Sequence, residues 1–344
     1  MLSGPITDIP LQSLDTRLFE NTPVKASNNR PTLSVSILRT DKTSPLISGN
    51  KWFKLKYSLL DAQQQGYNTL LSFGGPYSNH LHALAGAGKQ YHFKTIGIIR
   101  GEEHCSLNSG SLNPTLTDLK TLGMQLYYIN RQQYRKKHEP EFIRHLLGRL
   151  KTENYLTSNE AVYLIPEGGT NALAIKGTAE IAELIPDNTD YVCVACGTGG
   201  TLAGIIHGLN NKHARTKILG FPALKGAQFL EQEINKLLKL LPHSPPTVKA
   251  QKNWELVYDY HFGGFGKMTP ELAQFIIEFE QKHSIPLDPV YTGKMMYGIV
   301  ELINNNYFPP HSRILIIHSG GLQGRRGMEA KIKELAGYPG DNIP

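Results

Sequence analysis

The first residue of this chain that could do covalent chemistry is a lysine between a turn and a helix. Lys51 follows a turn rich in Pro, Ser and Gly and precedes a helical pattern over residues 52–65. Asn50 is predicted to be the N-cap of that helix, which places Lys51 in its first turn. There the helix dipole and a neighbouring cation are expected to lower the pKa of the amine, as a Schiff base requires. Lys54 and Lys56 are interpreted as solvent-facing or carboxylate-binding residues.

A downstream loop has the composition of a phosphate-binding site. It follows an apolar strand, opens a helix and consists of Gly197, Thr198, Gly199, Gly200 and Thr201. Glycines let backbone N–H groups approach an anion, and a helix N-terminus adds partial positive charge. A dinucleotide fingerprint would need glycine at Leu202, and a Walker loop would need Gly-Lys-Ser/Thr, which is absent. A plain tight turn is the alternative, but the two threonine hydroxyls favour a phosphate.

The amine and the loop together meet the two minimum requirements of pyridoxal phosphate (PLP), which needs a Schiff-base lysine and a phosphate site. A third polar turn, Ser78-Asn79-His80, opens a helix after a strand and two glycines. Its exposed amides and serine hydroxyl suit a carboxylate. Helix capping by Ser78 or Asn79 is the alternative, and the two roles can coexist. No metal site is expected, because His80, His82 and His92 do not converge at their spacing.

Composition and charge describe an ordinary globular enzyme-sized chain. Its 344 residues, 40% of them hydrophobic, predict one large or two medium domains. The net charge of +7 is spread along the chain, and the densest basic run, residues 131–138, is interpreted as a solvated helix face. No nucleic-acid-binding motif accompanies it, so no nucleic acid partner is expected. The basicity favours a small anionic substrate and a phosphorylated cofactor.

The same reading predicts a cytoplasmic protein without a membrane partner. No uncharged apolar run approaches the roughly 20 residues of a membrane helix, and no signal peptide is visible. Three cysteines, Cys105, Cys193 and Cys196, are too few for a disulfide framework. The odd offset of the last two puts their thiols on opposite faces of a strand, as core residues.

Apolar runs alternate with helical patterns through most of the chain, which is typical of the α/β class. The predicted strands are 32–38, 69–73, 94–99, 125–129, 161–165, 191–196, 218–221, 255–258 and 313–318. Predicted helices between them include 52–65, 78–91, 172–184, 201–209 and 270–283. Several strands are apolar throughout, as in a parallel sheet covered on both faces. Weak linker candidates are residues 239–252 and the tail from Gly337.

With these motifs in hand, the chain resembles the fold type II PLP enzymes, and among them the 1-aminocyclopropane-1-carboxylate (ACC) deaminase / D-cysteine desulfhydrase family. The segments that carry the resemblance are 48–55, 72–80, 166–172, 197–201, 287–294 and 318–321. They occur in family order and spacing from about residue 35 to 325. The segments around Lys51 and Tyr291 are specific to this family, whereas the glycine loop marks only the wider class.

The resemblance implies a role for each matching residue around the cofactor. Lys51 would hold PLP and move the substrate proton, and Asn79 would bond the ring hydroxyl. The loop 197–201 would bind the phosphate. Tyr291 would stack on or beside the pyridine ring, and Thr292 would face its nitrogen.

It also implies where the substrate lies. Ser78, with the amides of Asn79 and His80, would take the substrate carboxylate. Phe265 would lie near the reacting carbon, where both branches of the family usually place tyrosine.

Position 292 is used to choose between the branches. ACC deaminases carry a glutamate where this chain has Thr292, and a carboxylate there keeps the pyridine nitrogen protonated and the ring a strong electron sink. A hydroxyl makes a weaker sink, sufficient for α-proton removal and loss of a thiolate. The prediction is therefore β-elimination on a small amino acid, with D-cysteine giving pyruvate, ammonia and hydrogen sulfide. ACC deaminase and a catalytically silent PLP-binding protein are the alternatives.

The resemblance further implies a tryptophan synthase β-like architecture of two open twisted α/β domains with PLP in the cleft. The large domain is predicted to comprise residues 1–51 and 161–344, and the small inserted domain residues 52–160. Family members pair as homodimers, so a homodimer is expected.

Overall fold

The computed structural model describes residues 8–15, 32–101, 112–212, 215–241 and 252–338. These residues form ten strands and twelve α-helices. The strands are β1 (Leu11–Leu14), β2 (Ser34–Leu38), β3 (Thr69–Gly74), β4 (Lys94–Arg100), β5 (Gln125–Ile129), β6 (Val162–Ile165), β7 (Tyr191–Cys196), β8 (Lys217–Pro222), β9 (Trp254–Leu256) and β10 (Arg313–Ile317).

Helices cover most of the connections between strands. They are α1 (Asn50–Gln64), α2 (Asn79–Tyr91), α3 (Pro114–Thr121), α4 (Arg131–Arg135), α5 (Pro140–Thr152), α6 (Ala172–Ala179), α7 (Gly200–Lys212), α8 (Phe229–Leu238), α9 (Pro270–His283), α10 (Thr292–Asn304), α11 (Leu322–Arg325) and α12 (Glu329–Leu335). Short 3₁₀ helices span Thr40–Lys42, Glu167–Gly169, Glu180–Leu184 and Arg326–Met328. None of the helices in the described residues is both long enough and apolar enough to cross a lipid bilayer.

The strands form two separate sheets. The larger has the order β1-β2-β10-β7-β8-β9 and the smaller β5-β4-β3-β6. Every pairing is parallel except that of β1 with β2. The predicted α/β class and its parallel sheets are therefore confirmed, and parallel strands require the helical crossovers that lie between them.

All nine predicted strands are present, with ends within two residues of the predicted ones. The strand that was not predicted, β1, is a four-residue antiparallel edge strand with alternating exposure, too short to show a clear pattern. The predicted helix 172–184 is divided into α6 and a 3₁₀ turn. The predicted linker 239–252 and the tail lie mostly outside the described residues, and Cys105 lies outside them entirely.

Both faces of the larger sheet are buried. Along β7, Val192, Val194 and Cys196 face one apolar cluster, while Cys193 and Ala195 face another that contains α9 and α10. Cys193 and Cys196 are buried free thiols on opposite faces, as predicted. The first cluster also contains residues of the smaller sheet and of α1, so one core connects the two sheets.

The basic run is a solvated helix face, as predicted. Arg131 and Arg135 of α4 are exposed, and only Tyr134 of this helix is buried.

The predicted domain boundaries stay a prediction. The boundary at residue 160 falls just before β6, which pairs with β3 in the smaller sheet. A division that follows the sheets would move this boundary past Ile165.

Close helix packing beneath the sheets depends on glycine. A Cβ placed on Gly177 of α6 would lie 1.9 Å from the carbonyl oxygen of Phe53 in α1. A Cβ on Gly204 of α7 would lie 1.9 Å from Oγ1 of Thr178 in α6. Helix α1 starts with Asn50 and Lys51, and α7 starts within the glycine loop. The packing of the helices therefore fixes the distance between Lys51 and the loop.

We expect Gly177→Ala to lower the thermal unfolding midpoint of the holoprotein, because overpacking costs about 1–3 kcal/mol. Gly148→Ala in α5 is the matched control, since a Cβ there meets nothing within 4 Å. Alanine should stabilise that helix by ~1 kcal/mol. Equal shifts in the two variants, measured by calorimetry, would contradict the packing argument.

Candidate active site

Loops that leave the carboxyl ends of several strands meet at one place. The side-chain amide of Asn50, after β2, donates to the hydroxyl of Thr201 in α7 over 2.7 Å. The backbone N–H of Asn50 donates to the carbonyl of Ser319, after β10, over 3.2 Å. The side-chain oxygen of Asn79, after β3, accepts a hydrogen bond from Gln323. Open α/β sheets bind ligands at this edge, so these contacts locate the candidate site.

Asn50 is not the N-cap that the sequence predicted. It is the first residue of α1, the N-cap position belongs to Gly49, and the side chain of Asn50 bonds Thr201 instead. Gly49 has φ of 68°, and a Cβ on it would lie 2.1 Å from the carbonyl oxygen of Ser319. Only glycine permits both the left-handed backbone and the close approach of the 318–321 loop.

Lys51 is half-buried in the first turn of α1, and its amine donates to Oδ1 of Asn50 over 2.8 Å. Burial lowers the pKa of Lys51 to about 8, and the negative charge of Asp288 opposes this shift. The direction agrees with the prediction, but its main cause is burial and not the expected helix dipole and neighbouring cation. Such an amine is partly neutral near pH 7, and the neutral form is the nucleophile.

The interpretation of Lys54 as a solvent-facing or carboxylate-binding residue is wrong. Lys54 is buried, and its amine donates to the carbonyl of Gly168 over 2.5 Å and to Oγ1 of Thr170 over 2.7 Å. Oγ1 of Thr198 lies 3.4 Å away. Burial, followed by the charge of Lys51, holds the pKa of Lys54 well below its ordinary value.

Lys56 behaves as predicted, because its amine forms an ion pair with the carboxylate of Glu180 over 2.6 Å. The two lysines differ because α1 turns one of them toward the 168–170 segment and the other toward the start of the 3₁₀ turn that follows α6.

The predicted phosphate loop forms a tight polar turn at the N-terminus of α7. Gly199 has φ of 81°, and a Cβ on Gly200 would lie 2.9 Å from Cγ2 of Thr170 and 3.3 Å from Cε of Lys54. Thr198 and Thr170 share a hydrogen bond of 2.8 Å between their hydroxyls. The loop thus gathers backbone N–H groups, hydroxyls and one amine, and none of these contacts involves a carboxylate.

Ser78 caps α2, since its hydroxyl accepts from the N–H of Leu81 over 3.2 Å. The amides of Asn79 and His80 belong to the first helical turn, where N–H groups have no acceptor within the helix. They therefore stay available for an anion. The assignment of this turn to a substrate carboxylate stays a prediction.

The imidazole of His80 is buried and donates a hydrogen bond through Nε2. Ser72 donates its hydroxyl proton to the carbonyl of Ile165 over 2.8 Å, so it accepts from Nε2 of His80, also over 2.8 Å. Nδ1 then carries no proton, and it has no hydrogen-bond partner among the described residues. Burial, with the charges of Lys54 and Lys51, lowers the pKa of His80 well below its ordinary value. The Nε2–H group is already bonded to Ser72 and Nδ1 has no proton to donate to a carboxylate, so only the backbone of His80 suits the predicted role.

Asp288 is a buried carboxylate that organises the start of α10. Its two oxygens accept from the N–H groups of Val290, Tyr291 and Thr292 over 2.8–2.9 Å and from the hydroxyl of Thr292 over 2.7 Å. The hydroxyl of Thr292 also accepts from the N–H of Asp288 over 2.8 Å. Thr292 therefore gives its proton to Asp288 and has only lone pairs to offer toward a ring nitrogen. Its role there stays a prediction.

Tyr291 lies against the glycine loop. A Cβ on Gly197 would lie 3.1 Å from Cε1 of the Tyr291 ring. Burial raises the pKa of Tyr291 and keeps the phenol neutral. The ring of Phe265 meets that of Tyr291 edge to face, with centroids 5.9 Å apart. The structure thus brings together the predicted cofactor residues and Phe265.

A buried ion pair supports the 318–321 loop from behind. Arg39 donates two hydrogen bonds to Asp41, of 2.8 and 2.7 Å, and Nδ1 of His318 lies 3.5 Å from the same carboxylate. The hydroxyl of Thr40 donates to the carbonyl of His318 over 2.6 Å. These contacts fix the loop after β10 to the turn that precedes Lys51.

The residues present fit PLP. The amine of Lys54, the hydroxyls of Thr170 and Thr198 and the amides of the glycine loop are the donors that a phosphate needs. Lys51 supplies an amine of lowered pKa, and Tyr291 supplies a flat aromatic surface. The fold and the site together define a fold type II PLP enzyme.

Comparison with known proteins agrees with this class. Residues 16–320 match the family described as pyridoxal-phosphate dependent enzyme. The chain belongs to this family. A putative ACC deaminase of Pyrococcus horikoshii is 33% identical over 84% of this chain and 85% of its own length.

Two further proteins match most of the chain. The mitochondrial bifunctional D-cysteine desulfhydrase/ACC deaminase of Arabidopsis thaliana is 27% identical over 89% of this chain and 76% of its own length. A crystal structure of an ACC deaminase homologue covers 95% of this chain and 94% of its own, with a TM-score of 0.75 and 29% identity. The resemblance drawn from the motifs is confirmed.

Sequence reasoning missed Lys54, Asp288 and Gln323 as site residues. Lys54 lies three residues after Lys51, and this spacing places both on one face of a helix. Asp288 lies four residues before the start of α10, a helix that was not predicted from the sequence. No sequence signal indicates Gln323, because its partner Asn79 is distant in the chain.

We expect Lys54→Met to weaken PLP binding by about 10- to 100-fold, since a hydrogen bond from a charged donor contributes about 1.5–3 kcal/mol. Lys56→Met removes a lysine of the same helix that binds Glu180 instead, and it should leave PLP affinity unchanged. PLP titration of the apoprotein, followed by visible absorbance, measures both. Equal affinities in the two variants would remove Lys54 from the phosphate site.

Proposed function

We propose that this protein is a PLP-dependent lyase that converts D-cysteine and water to pyruvate, ammonia and hydrogen sulfide. The observation that carries the proposal is the state of Thr292. Its hydroxyl is bonded to Asp288 as both donor and acceptor, so position 292 brings no charged group of its own to the site. That arrangement suits removal of an acidic α-hydrogen more than opening of a cyclopropane ring.

Bound PLP supplies an aldehyde that bonds to amines and a ring that withdraws electrons from the substrate α-carbon. The residues of the chain do the rest. The neutral amine of Lys51 takes the proton from the α-carbon, because it is the basic group of lowered pKa in the site. Cleavage of the Cβ–S bond then releases hydrosulfide and leaves 2-aminoacrylate, which water converts to pyruvate and ammonia.

The turn Ser78-Asn79-His80 is proposed to hold the substrate carboxylate. Its support is the set of free amides at the start of α2 and the Ser78 hydroxyl beside them. Asn79 is proposed to bond the ring hydroxyl through Nδ2, because its Oδ1 already accepts from Gln323. Tyr291, whose ring lies at Gly197, is proposed to stay a neutral phenol beside the cofactor ring.

ACC deaminase is the second candidate, in which ACC and water give 2-oxobutyrate and ammonia. The names of the Pyrococcus and Arabidopsis relatives favour it. Phe265 disfavours it, because no phenolic hydroxyl is present at that position to act near the reacting carbon.

Cytoplasmic location, a homodimer and the two domains belong to the same proposal. The two buried free thiols in β7 support a reducing compartment. Pairing of subunits rests on the family resemblance, and sedimentation of the holoprotein would test it. The domain division is supported by the two separate sheets.

We expect borohydride to attach PLP permanently to Lys51 when it is added to a mixture of PLP and the protein. The amount of attached PLP should rise with pH through a midpoint near 8. The neutral amine reacts, and burial lowers its pKa to about 8 from an ordinary value of 10.5. Asp288→Asn should move the midpoint to lower pH, because the carboxylate raises this pKa. Peptide mass spectrometry locates the label.

Lys51→Ala should abolish both labelling and turnover. A label on Lys54 or Lys56, or a midpoint near the ordinary lysine value, would contradict the assignment of Lys51.

We expect kcat/KM for D-cysteine to exceed that for ACC by at least ~100-fold, or ~2.7 kcal/mol in the barrier. Pyruvate and 2-oxobutyrate are measured separately by chromatography. Phe265→Tyr should raise the activity on ACC, because it restores a phenolic hydroxyl. Release of 2-oxobutyrate from ACC as readily as pyruvate from D-cysteine would favour the second candidate.

A further inference from the structure

Lys294, in the first turn of α10, is a buried lysine that forms no close ion pair with a described carboxylate; burial lowers its pKa, and the charge of Asp288 opposes this shift. It is 2% exposed, and no described carboxylate oxygen lies within 4.0 Å of its amine. The amine donates instead to two backbone carbonyls, that of His261 over 2.9 Å and that of Gly264 over 2.8 Å. Burying a charge costs free energy, and these two hydrogen bonds offset part of that cost.

The two carbonyls belong to one irregular loop, residues 261–266. Phe262, Gly263, Gly264 and Gly266 have φ of 50°, 87°, 114° and 69°. The loop belongs to neither a sheet nor a helix. The free energy of local opening is small for such segments unless other contacts hold them in place. The two bonds from Lys294 tie it to α10.

The loop presents Phe265, whose position is not fixed by burial. Its side chain is 55% exposed, and its ring contacts that of Tyr291 edge to face. Tyr291 is the N-cap residue of α10, and Lys294 lies three residues later in its first turn, so both belong to the same end of this helix. The helix that carries Tyr291 therefore also holds the loop that carries Phe265.

We propose that Lys294 is a positioning residue that holds Phe265 against Tyr291 and so sets the space available to the substrate side chain. The proposal rests on the proposed function in that Tyr291 and Phe265 line the substrate site. Lys294 itself touches neither substrate nor cofactor and acts through the backbone of residues 261–266.

Hydrogen exchange of the holoprotein, read by peptide mass spectrometry, tests the first half without any assay of activity. Lys294→Met keeps the length of the side chain and removes its donors. Amides of residues 261–266 should then exchange at least about tenfold faster, while those of β7 and β10 keep their rates. Lys294→Gln, which retains an N–H donor, should restore part of the protection.

Lys267→Met is the matched control, because Lys267 is an exposed lysine next to the same loop. It should leave both exchange and kinetics unchanged. If Lys294→Met does not fold, Lys294→Gln alone carries the test, with a smaller but still local increase expected.

Kinetics with D-cysteine test the second half. Lys294→Met should raise KM about tenfold and change kcat by less than about threefold, because it widens the site and leaves Lys51 in place. In the background of Phe265→Ala the same substitution should have little further effect on KM, since both act on one contact.

Local exchange that is unchanged in both Lys294 variants would overturn the proposal. An equal rise in exchange across the whole protein would overturn it too, because it would mean a purely structural lysine. If the effects of Lys294→Met and Phe265→Ala on KM add in the double variant, Lys294 does not act through Phe265. Failure of D-cysteine turnover in every form would count against the proposed function, while the exchange result would still decide the role of Lys294.

Discussion

Two lysine amines buried close together set the electrostatics of this site. The charge of Lys51 lowers the pKa of Lys54, and burial lowers the pKa of both. The direct partners of Lys54 are a carbonyl and two hydroxyls, so no carboxylate neutralises it at close range. An anionic phosphate among these donors would compensate the buried charge of Lys54, and it would leave Lys51 free to be neutral. The two lysines are expected to differ in role, because Lys54 contacts Thr198 of the glycine loop whereas Lys51 bonds Asn50.

Asp288 is the carboxylate whose charge raises the pKa of Lys51 against the effect of burial. Its oxygens accept hydrogen bonds from three backbone N–H groups at the start of α10. These bonds fix the orientation of Tyr291 and Thr292. A helix N-terminus stabilises such an anion, which is why it can be buried. The same helix then carries Lys294 and, through it, the loop of Phe265. Asp288 thus orients Tyr291 directly and Phe265 through the helix that carries Lys294.

The site also joins the two sheets. Asn79 follows a strand of the smaller sheet and bonds Gln323, which follows the last strand of the larger one. Gln323 in turn accepts from the hydroxyl of Thr115 in α3 over 3.0 Å, and Arg326 pairs with Asp118 of the same helix. The Ser78-Asn79-His80 turn and residues 318–328 are therefore coupled through side chains rather than through shared secondary structure. Polar contacts of this kind can break and re-form more readily than an apolar core.

The sequence by itself determined the elements and the local motifs of this protein. Continuous apolar runs predicted the parallel strands, and the glycine loop, the Lys51 turn and the Ser78 turn each lie within a few consecutive residues, where local chemistry decides the conformation. Tertiary structure decided which distant groups meet. Lys54 faces the 168–170 turn, and Asn50 bonds Thr201 instead of capping its helix. The amine of Lys294 donates to two carbonyls of a loop some 30 residues earlier. No short-range pattern contains these pairings, because each joins segments far apart in the chain. Close packing at Gly177 and Gly204 brings α1, α6 and α7 together, and with them the contacts of Asn50 and Lys54.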